Sequence, residues 1–205
     1  TGIGKVEFEE FGNEVSVTTK AHKFLFNKKT GNISKITKGK SVMIVGGMEL
    51  SFFRAPIDND RSFRKVWSEF RPDELECTVD SFEIDSNTDR VSITIRKTFS
   101  SPNSQSGIKA KEHFLIAGNG AVLLSVSLDY FGDALPPSLP RIGYTAKLPV
   151  GYDMAEWYGK GPGSSYNDRK SAMRMGVYTS SIDEMFTNYI RPQANGNRSE
   201  VRWFK

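Results

Sequence analysis

Lys109 to Ile116 and Ala121 to Tyr130 are two runs rich in β-forming residues that flank Gly118-Asn119-Gly120. Glycine and asparagine tolerate the positive φ of a tight reversal, so the segment reads as a β-hairpin. The pattern recurs along the chain. Val6 to Thr18 is rich in Val, Phe and Thr around a turn at Gly12-Asn13, and Lys23 to Phe26 is followed by Asn27 to Asn32 and then Ile33 to Ile36. Met43 to Phe53 is an apolar run that Gly46-Gly47 should bend. Val79, Phe82, Ile84 and the alternating Val91 to Ile95 continue the series, as does Ile142 to Leu148 after the stiff connector Leu135 to Pro140. Helical spacing shows only at Phe63, Val66, Trp67 and Phe70, where Pro72 ends a short helix over 62–70. Ser181 to Glu184 forms a capping box that can start one further helical turn. Many short strands with regular turns predict an all-β chain, a large antiparallel β-sandwich with one or two short helices.

A chain of 205 residues can bury roughly 70% of the surface its unfolded form exposes, and the natural reading is one sandwich domain over 1–205. No apolar run approaches the roughly 20 residues of a spanning helix. The formal charge is +4, but the lysines at 20, 23, 28, 29, 35, 38 and 40 are spread through turns and alternating positions, which fits a solvated face and not a nucleic-acid footprint. Neither a membrane nor a nucleic acid is therefore an expected partner. Cys77 is the single cysteine, so no intrachain disulfide exists and the compartment stays open. Thr1 follows no leader pattern and the last residues, Trp203-Phe204-Lys205, look like an interrupted strand. The expectation is a piece of a longer, multidomain polypeptide, cut short at its C-terminus.

The last fifty residues depart from the strand grammar. In Trp157-Tyr158-Gly159-Lys160-Gly161-Pro162-Gly163 the glycines and proline predict a rigid, tight loop, which runs into Tyr166-Asn167-Asp168-Arg169-Lys170. Further on, Arg191, Gln193, Asn195, Asn197 and Arg198 stand close along a second loop that turns at Asn195-Gly196. Planar side chains with several donors suit sugar hydroxyls or backbone carbonyls. Arg169, Arg191 and Arg198 suit an interface as well. Upstream, Phe53-Arg54-Ala55-Pro56-Ile57-Asp58-Asn59-Asp60 places two carboxylates beside two arginines, Arg54 and Arg61. Structural pairing with those arginines is the leading reading, ahead of a sugar or metal contact and well ahead of catalysis. Trp157, Tyr158, Tyr166, Tyr178 and Tyr189 could stack on a sugar ring, but filling a sandwich core is the commoner use of such residues. His22 and His113 make no metal motif, and each reads as a strand residue with an ordinary hydrogen bond.

The strings WYGKGP, YNDRK and YIRPQANGNRSEVRW, with FRAPIDND about a hundred residues before the first of them, closely resemble the C-terminal, small-chain domain of bacterial β-galactosidases of glycoside hydrolase family 2. The resemblance covers nearly the whole chain. It implies the large two-sheet supersandwich shared with galactose mutarotases. It also implies a parent enzyme that hydrolyses terminal non-reducing β-D-galactosyl residues by a retaining mechanism. The two catalytic glutamates of that family lie on a (β/α)₈ barrel, for which this chain has no pattern, so no catalytic residue is expected here and the chain alone should be inactive. Its expected tasks are to shape the active-site rim and to pack on the barrel of the same polypeptide, and the family also allows a homo-oligomer. Magnesium and sodium are implied for the parent only, with no liganding set visible in these residues. A soluble protein of the bacterial cytoplasm or periplasm fits the family. Candidates for substrate or interface contacts are Arg54, Asp58, Asn59, Asp60, Trp157, Tyr166, Asp168, Arg169, Arg191, Gln193, Asn195, Asn197 and Arg198. Two departures stand out: where many relatives read GPHENY and RPQENG, this chain has Gly163-Ser164-Ser165 and Ala194, leaving two glutamate positions empty. A non-catalytic carbohydrate-binding or assembly module is the alternative. A mutarotase-like enzyme would need His113 and Glu112 to face one cleft.

Overall fold

A computed structural model describes residues 4–205. The span read as one domain divides into two compact units, Thr1–Ala55 with Phe63–Pro149, and Pro56–Ser62 with Val150–Lys205. Nearly all of the regular structure is antiparallel β.

In the first unit β1 (Glu7–Phe11) and β2 (Glu14–Thr18) close across Gly12-Asn13, with Gly12 at φ +58°. β3 (His22–Asn27) and β4 (Asn32–Lys38) follow as the expected second hairpin. The apolar run that should have been one bent strand is two, β5 (Ser41–Ile44) and β6 (Gly46–Ser51). The break falls at Val45, and both strands pair with β4. After helix α1 (Arg64–Phe70) come four long strands, β7 (Glu76–Ser86), β8 (Arg90–Ser100), β9 (Gly107–Ala117) and β10 (Val122–Phe131), which meander as one sheet in the order β10-β9-β8-β7. β11 (Gly143–Lys147) returns to pair with β6, completing a seven-stranded sheet.

The core lies between these two sheets. Period-2 alternation sends Val15, Val17, Phe24, Phe26 and Ile33 of one sheet against Val91, Ile93, Ile95, Phe114 and Ile116 of the other. Phe26 meets Phe114 edge to face, with ring centroids 5.3 Å apart. Each such buried side chain contributes about 1.5–3 kcal/mol relative to leaving it in water. Helix α1 adds Phe70 to a second cluster with Phe52, Phe99 and Ile108. Its Trp67 is buried too, the indole N–H donating to Ser138 O at 2.8 Å. The helix stops at Arg71, which takes the left-handed conformation ahead of Pro72 and donates its N–H to Trp67 O. Among the described residues no helix is long and apolar enough to cross a membrane.

Glu112 and His113 are consecutive on β9 and so point to opposite faces. Glu112 faces the core, where it meets Lys97, and His113 Nε2 hydrogen-bonds Ser92 Oγ at 2.7 Å on the other side. The shared cleft that a mutarotase-like acid–base pair requires does not form.

The second unit is built on a three-stranded sheet with β12 (Met154–Gly161) in the centre, β13 (Arg174–Ser181) on one side and β14 (Trp203–Phe204) on the other. The loop expected over 157–163 is therefore corrected: Trp157 to Gly161 is strand, and only Pro162 and Gly163 lie beyond it. The glycines serve close approach and not positive φ. Ala155, Trp157, Gly159 and Gly161 alternate on the buried face, where a Cβ on Gly159 would stand 3.0 Å from Val201 and one on Gly161 2.5 Å from the Tyr178 ring. The expected capping box forms, with Glu184 N–H on Ser181 Oγ and Ser181 N–H on Glu184 Oε2, and it starts a 3₁₀ turn at Asp183–Met185.

Candidate functional site

The RAP-x-DND string divides between the units. Arg54 stays with the first, its guanidinium 5.9 Å from the Trp67 ring centroid and its Nη1 donating to Ala55 O. Pro56 to Ser62 belongs to the second unit, alongside the other two motif loops. Asp58 N–H donates to Pro192 O at 2.9 Å, which ties the first loop to the third by backbone.

Asp58 also carries the charge pairing. Arg61 Nη2 reaches its Oδ1 at 2.7 Å and Arg191 Nη1 its Oδ2 at 3.6 Å. The hydrogen bond from Arg61, aided by Arg191, holds this carboxyl below the usual carboxylate range. Asp60 is buried and its Oδ2 accepts the Ile57 N–H at 2.7 Å, closing the 3₁₀ turn Asp58–Asp60. Both carboxylates thus have structural work, with Arg61 the arginine that Asp58 takes.

The second and third loops are joined through a residue absent from the candidate set. Ser165 is wholly enclosed. Its N–H donates to Asn197 O, its carbonyl accepts from Asn197 Nδ2, and its Oγ accepts the Ser199 N–H at 2.8 Å. Nothing in the composition of Gly163-Ser164-Ser165 marks it, since a serine in a glycine-rich stretch reads as solvated turn. Asn195 acts within the third loop: its Oδ1 accepts the Thr187 N–H at 2.7 Å and its Nδ2 donates to Thr187 O at 3.1 Å. Asn195 and Asn197 are therefore loop clamps, using amide groups that sequence reading could equally assign to a ligand.

Trp157 is 1% exposed and belongs to the interior of the unit, where it packs on the half-buried Tyr178 with ring centroids 5.6 Å apart. Arg198 covers Trp157 with its guanidinium 4.6 Å from the ring centroid and donates Nη1 to the carbonyls of Gly196 and Asn197. Desolvation there lowers its pKa from the ordinary arginine value. Tyr158 is at the surface with Trp203, ring centroids 6.4 Å apart.

What remains converges on one cavity of about 300 Å³. Ile57 and Asn59 come from the first loop, Tyr166, Asn167, Asp168 and Arg169 from the second, and Gln193 and Ala194 from the third. Asn167 lay inside a string singled out above without being chosen as a candidate. Arg169 stands over the Tyr166 ring at 4.5 Å and the Tyr189 ring at 5.6 Å, and its Nη2 donates to Ser164 Oγ at 3.1 Å and to Ala194 O at 3.4 Å. Three amide side chains, one guanidinium and one carboxylate around a hollow of monosaccharide size can take several hydroxyls at once. Among the described residues no three His, Cys, Asp or Glu come together as a metal site.

Antiparallel sheets, with one short α-helix among the described residues, define an all-β, sandwich-like protein. The chain belongs to the β-galactosidase small-chain family, whose model matches residues 18–205. It is similar to the β-galactosidase of Kluyveromyces lactis, 31% identical over 92% of this chain and 19% of that protein. It is also similar to those of Vibrio cholerae, 27% identical over 96% of this chain and 20% of the relative, and Pseudoalteromonas haloplanktis, 30% identical over 96% and 20%. The chain spans about a fifth of the length of the curated relatives it matches.

Proposed function

We propose that this chain is the part of a β-galactosidase-type glycosidase that shapes the rim of its active site, in a parent that hydrolyses terminal non-reducing β-D-galactosyl residues. The observation that carries the reading is the meeting of Asn59, Asp168 and Gln193, from three strings far apart in sequence, on a single cavity. Retaining hydrolysis needs two free carboxyl groups about 5–5.5 Å apart. Asp58 is held in ion pairs and Asp60 in a turn, and Asp168 is the one carboxylate lining the cavity. The reading therefore takes the nucleophile and the acid/base from the barrel of the same polypeptide, against which this segment packs, together with any magnesium or sodium. A homo-oligomer is consistent with surface arginines such as Arg191.

The test is the hydrolysis of an aryl β-galactoside by the parental polypeptide carrying Asn59→Ala with Gln193→Ala. Two lost hydrogen bonds of about 1 kcal/mol each raise KM by roughly tenfold or more with the fold intact. Unchanged KM and kcat would end the rim reading and leave a carbohydrate-binding or assembly module.

A further inference from the structure

Arg169 is a half-buried cation without an anion. Among the described residues it forms no ion pair, and its two hydrogen bonds go from one nitrogen to neutral acceptors, Ser164 Oγ and Ala194 O. Its Nε is enclosed and has no partner. A guanidinium carries five N–H donors in a planar fork that matches a carboxylate, and most of them are unspent here. The faces of Tyr166 and Tyr189 offset part of the desolvation, as ring quadrupoles do for a cation, but they accept none of its protons.

Ser164 and Ala194 are the positions at which the family resemblance leads one to expect glutamates, and both contact this one side chain. This chain carries no carboxylate at either position, and among the described residues no acidic side chain forms an ion pair with Arg169. The same group lines the 300 Å³ cavity, beside the amides of Asn59, Asn167 and Gln193, whose side chains make no hydrogen bond within the described residues. A charge in search of an oxyanion therefore sits next to free planar donors and acceptors suited to ring hydroxyls.

We propose that Arg169 anchors an anion subsite that takes the carboxylate of an acidic sugar, with Asn59, Asn167 and Gln193 reading its hydroxyls. The galacto configuration chosen for the probe rests on the function proposed above, whereas the anion subsite rests on Arg169 and the cavity.

The experiment is calorimetric titration of the intact protein with D-galacturonate, D-galactose and acetate. The subsite predicts that galacturonate binds at least tenfold tighter than either galactose or acetate. Equal binding of galacturonate and galactose, or binding of neither, overturns it. Acetate binding as well as galacturonate overturns the sugar half. Ser164→Glu with Ala194→Glu places carboxylates beside Arg169 and should abolish the galacturonate preference, and Arg169→Gln should do the same. A preference that survives in either variant, with the melting temperature retained, overturns the assignment to Arg169. The two readings fail separately. Without galacturonate preference but with hydrolysis sensitive to Asn59 and Gln193, the rim reading stands alone. With the preference but insensitive hydrolysis, the subsite stands alone.

Discussion

The ammonium of Lys97 and the carboxylate of Glu112 lie 3.2 Å apart on neighbouring strands, each side chain 1% exposed, inside an otherwise apolar sandwich. Lys97 also donates to Asn32 Oδ1 at 2.8 Å, a bond that spans the two sheets. The pair lies on the core face because Lys97 continues the buried alternation of Val91, Ile93 and Ile95, and Glu112 that of Phe114 and Ile116. Taking both charges out of water costs several kcal/mol, so the pair adds little net stability despite its attraction.

Removing one partner should therefore be far worse than removing both. Lys97→Met leaves Glu112 buried and unpaired and is expected to cost about 3–5 kcal/mol. Lys97→Met with Glu112→Leu should recover most of that loss. Denaturant unfolding of the three proteins checks this, and a double variant as unstable as the single one would show that the pair itself carries stability.

Glu112 should also leave a mark on pH dependence. Enclosure raises its pKa above the usual glutamate range despite the pull of Lys97. A carboxyl with a raised folded-state pKa contributes most when protonated. Its contribution is full below about 4.5, the ordinary glutamate value, and falls as pH rises through the folded value. Unfolding free energies of wild type and Glu112→Gln, measured from pH 4 to 8, should differ by a term that moves against the wild type as pH rises. A pH-independent difference would show that Lys97 fully offsets the burial.

Gly161 is expected to tolerate no side chain, for a packing reason. A Cβ there would meet the Tyr178 ring at 2.5 Å, so Gly161→Ala should cost about 1–3 kcal/mol. Combined with Tyr178→Leu the loss should be smaller than the sum of the two single losses, because the clash and the ring vanish together. Strict additivity in thermal unfolding would place the cost elsewhere.

These particulars show where sequence reading stops. The strands of the first unit were legible because Val91 to Ile95 and its neighbours alternate with the sheet's own period, and the hairpin at Gly118-Asn119-Gly120 because its turn chemistry is local. The strand from Trp157 to Gly161 was not legible. Its small residues occupy the buried face, where apolar bulk is the usual signal, and what fills that face is Tyr178 and Val201 from elsewhere in the chain. The meeting of Asn59, Arg169 and Gln193 could be suspected only from the resemblance, since nothing local to FRAPIDND says that Asp58 will bond to Pro192. The pairing of Lys97 with Glu112 was invisible for a related reason: a charged residue in an alternating strand reads as solvent-facing until its register is known.

Asn195 should prove a structural clamp. Its paired bonds with Thr187 copy one rung of an antiparallel ladder, and Asn195→Ala leaves both Thr187 backbone groups without that partner. The expected loss is about 1–2 kcal/mol, confined to the third loop. Amide hydrogen exchange at Thr187 should speed up accordingly, while exchange in the sandwich strands stays as it was. Unaltered protection at Thr187 would rule the clamp out.

The salt link of Asp58 to Arg191 should make the loop Pro56 to Ser62 sensitive to acid. Because its folded-state pKa is depressed, chiefly by the hydrogen bond from Arg61, Asp58 contributes stability above about 3.8, its ordinary value, and loses it as pH falls through the lower folded value. Protection of this loop, read by hydrogen exchange, should hold from neutral pH to about 4 and then drop. In Asp58→Asn the protection should already be reduced at neutral pH and change little on acidification. A loop equally protected in both proteins at neutral pH would mean that the backbone bond from Asp58 to Pro192, and not the ion pair, holds the first and third loops together.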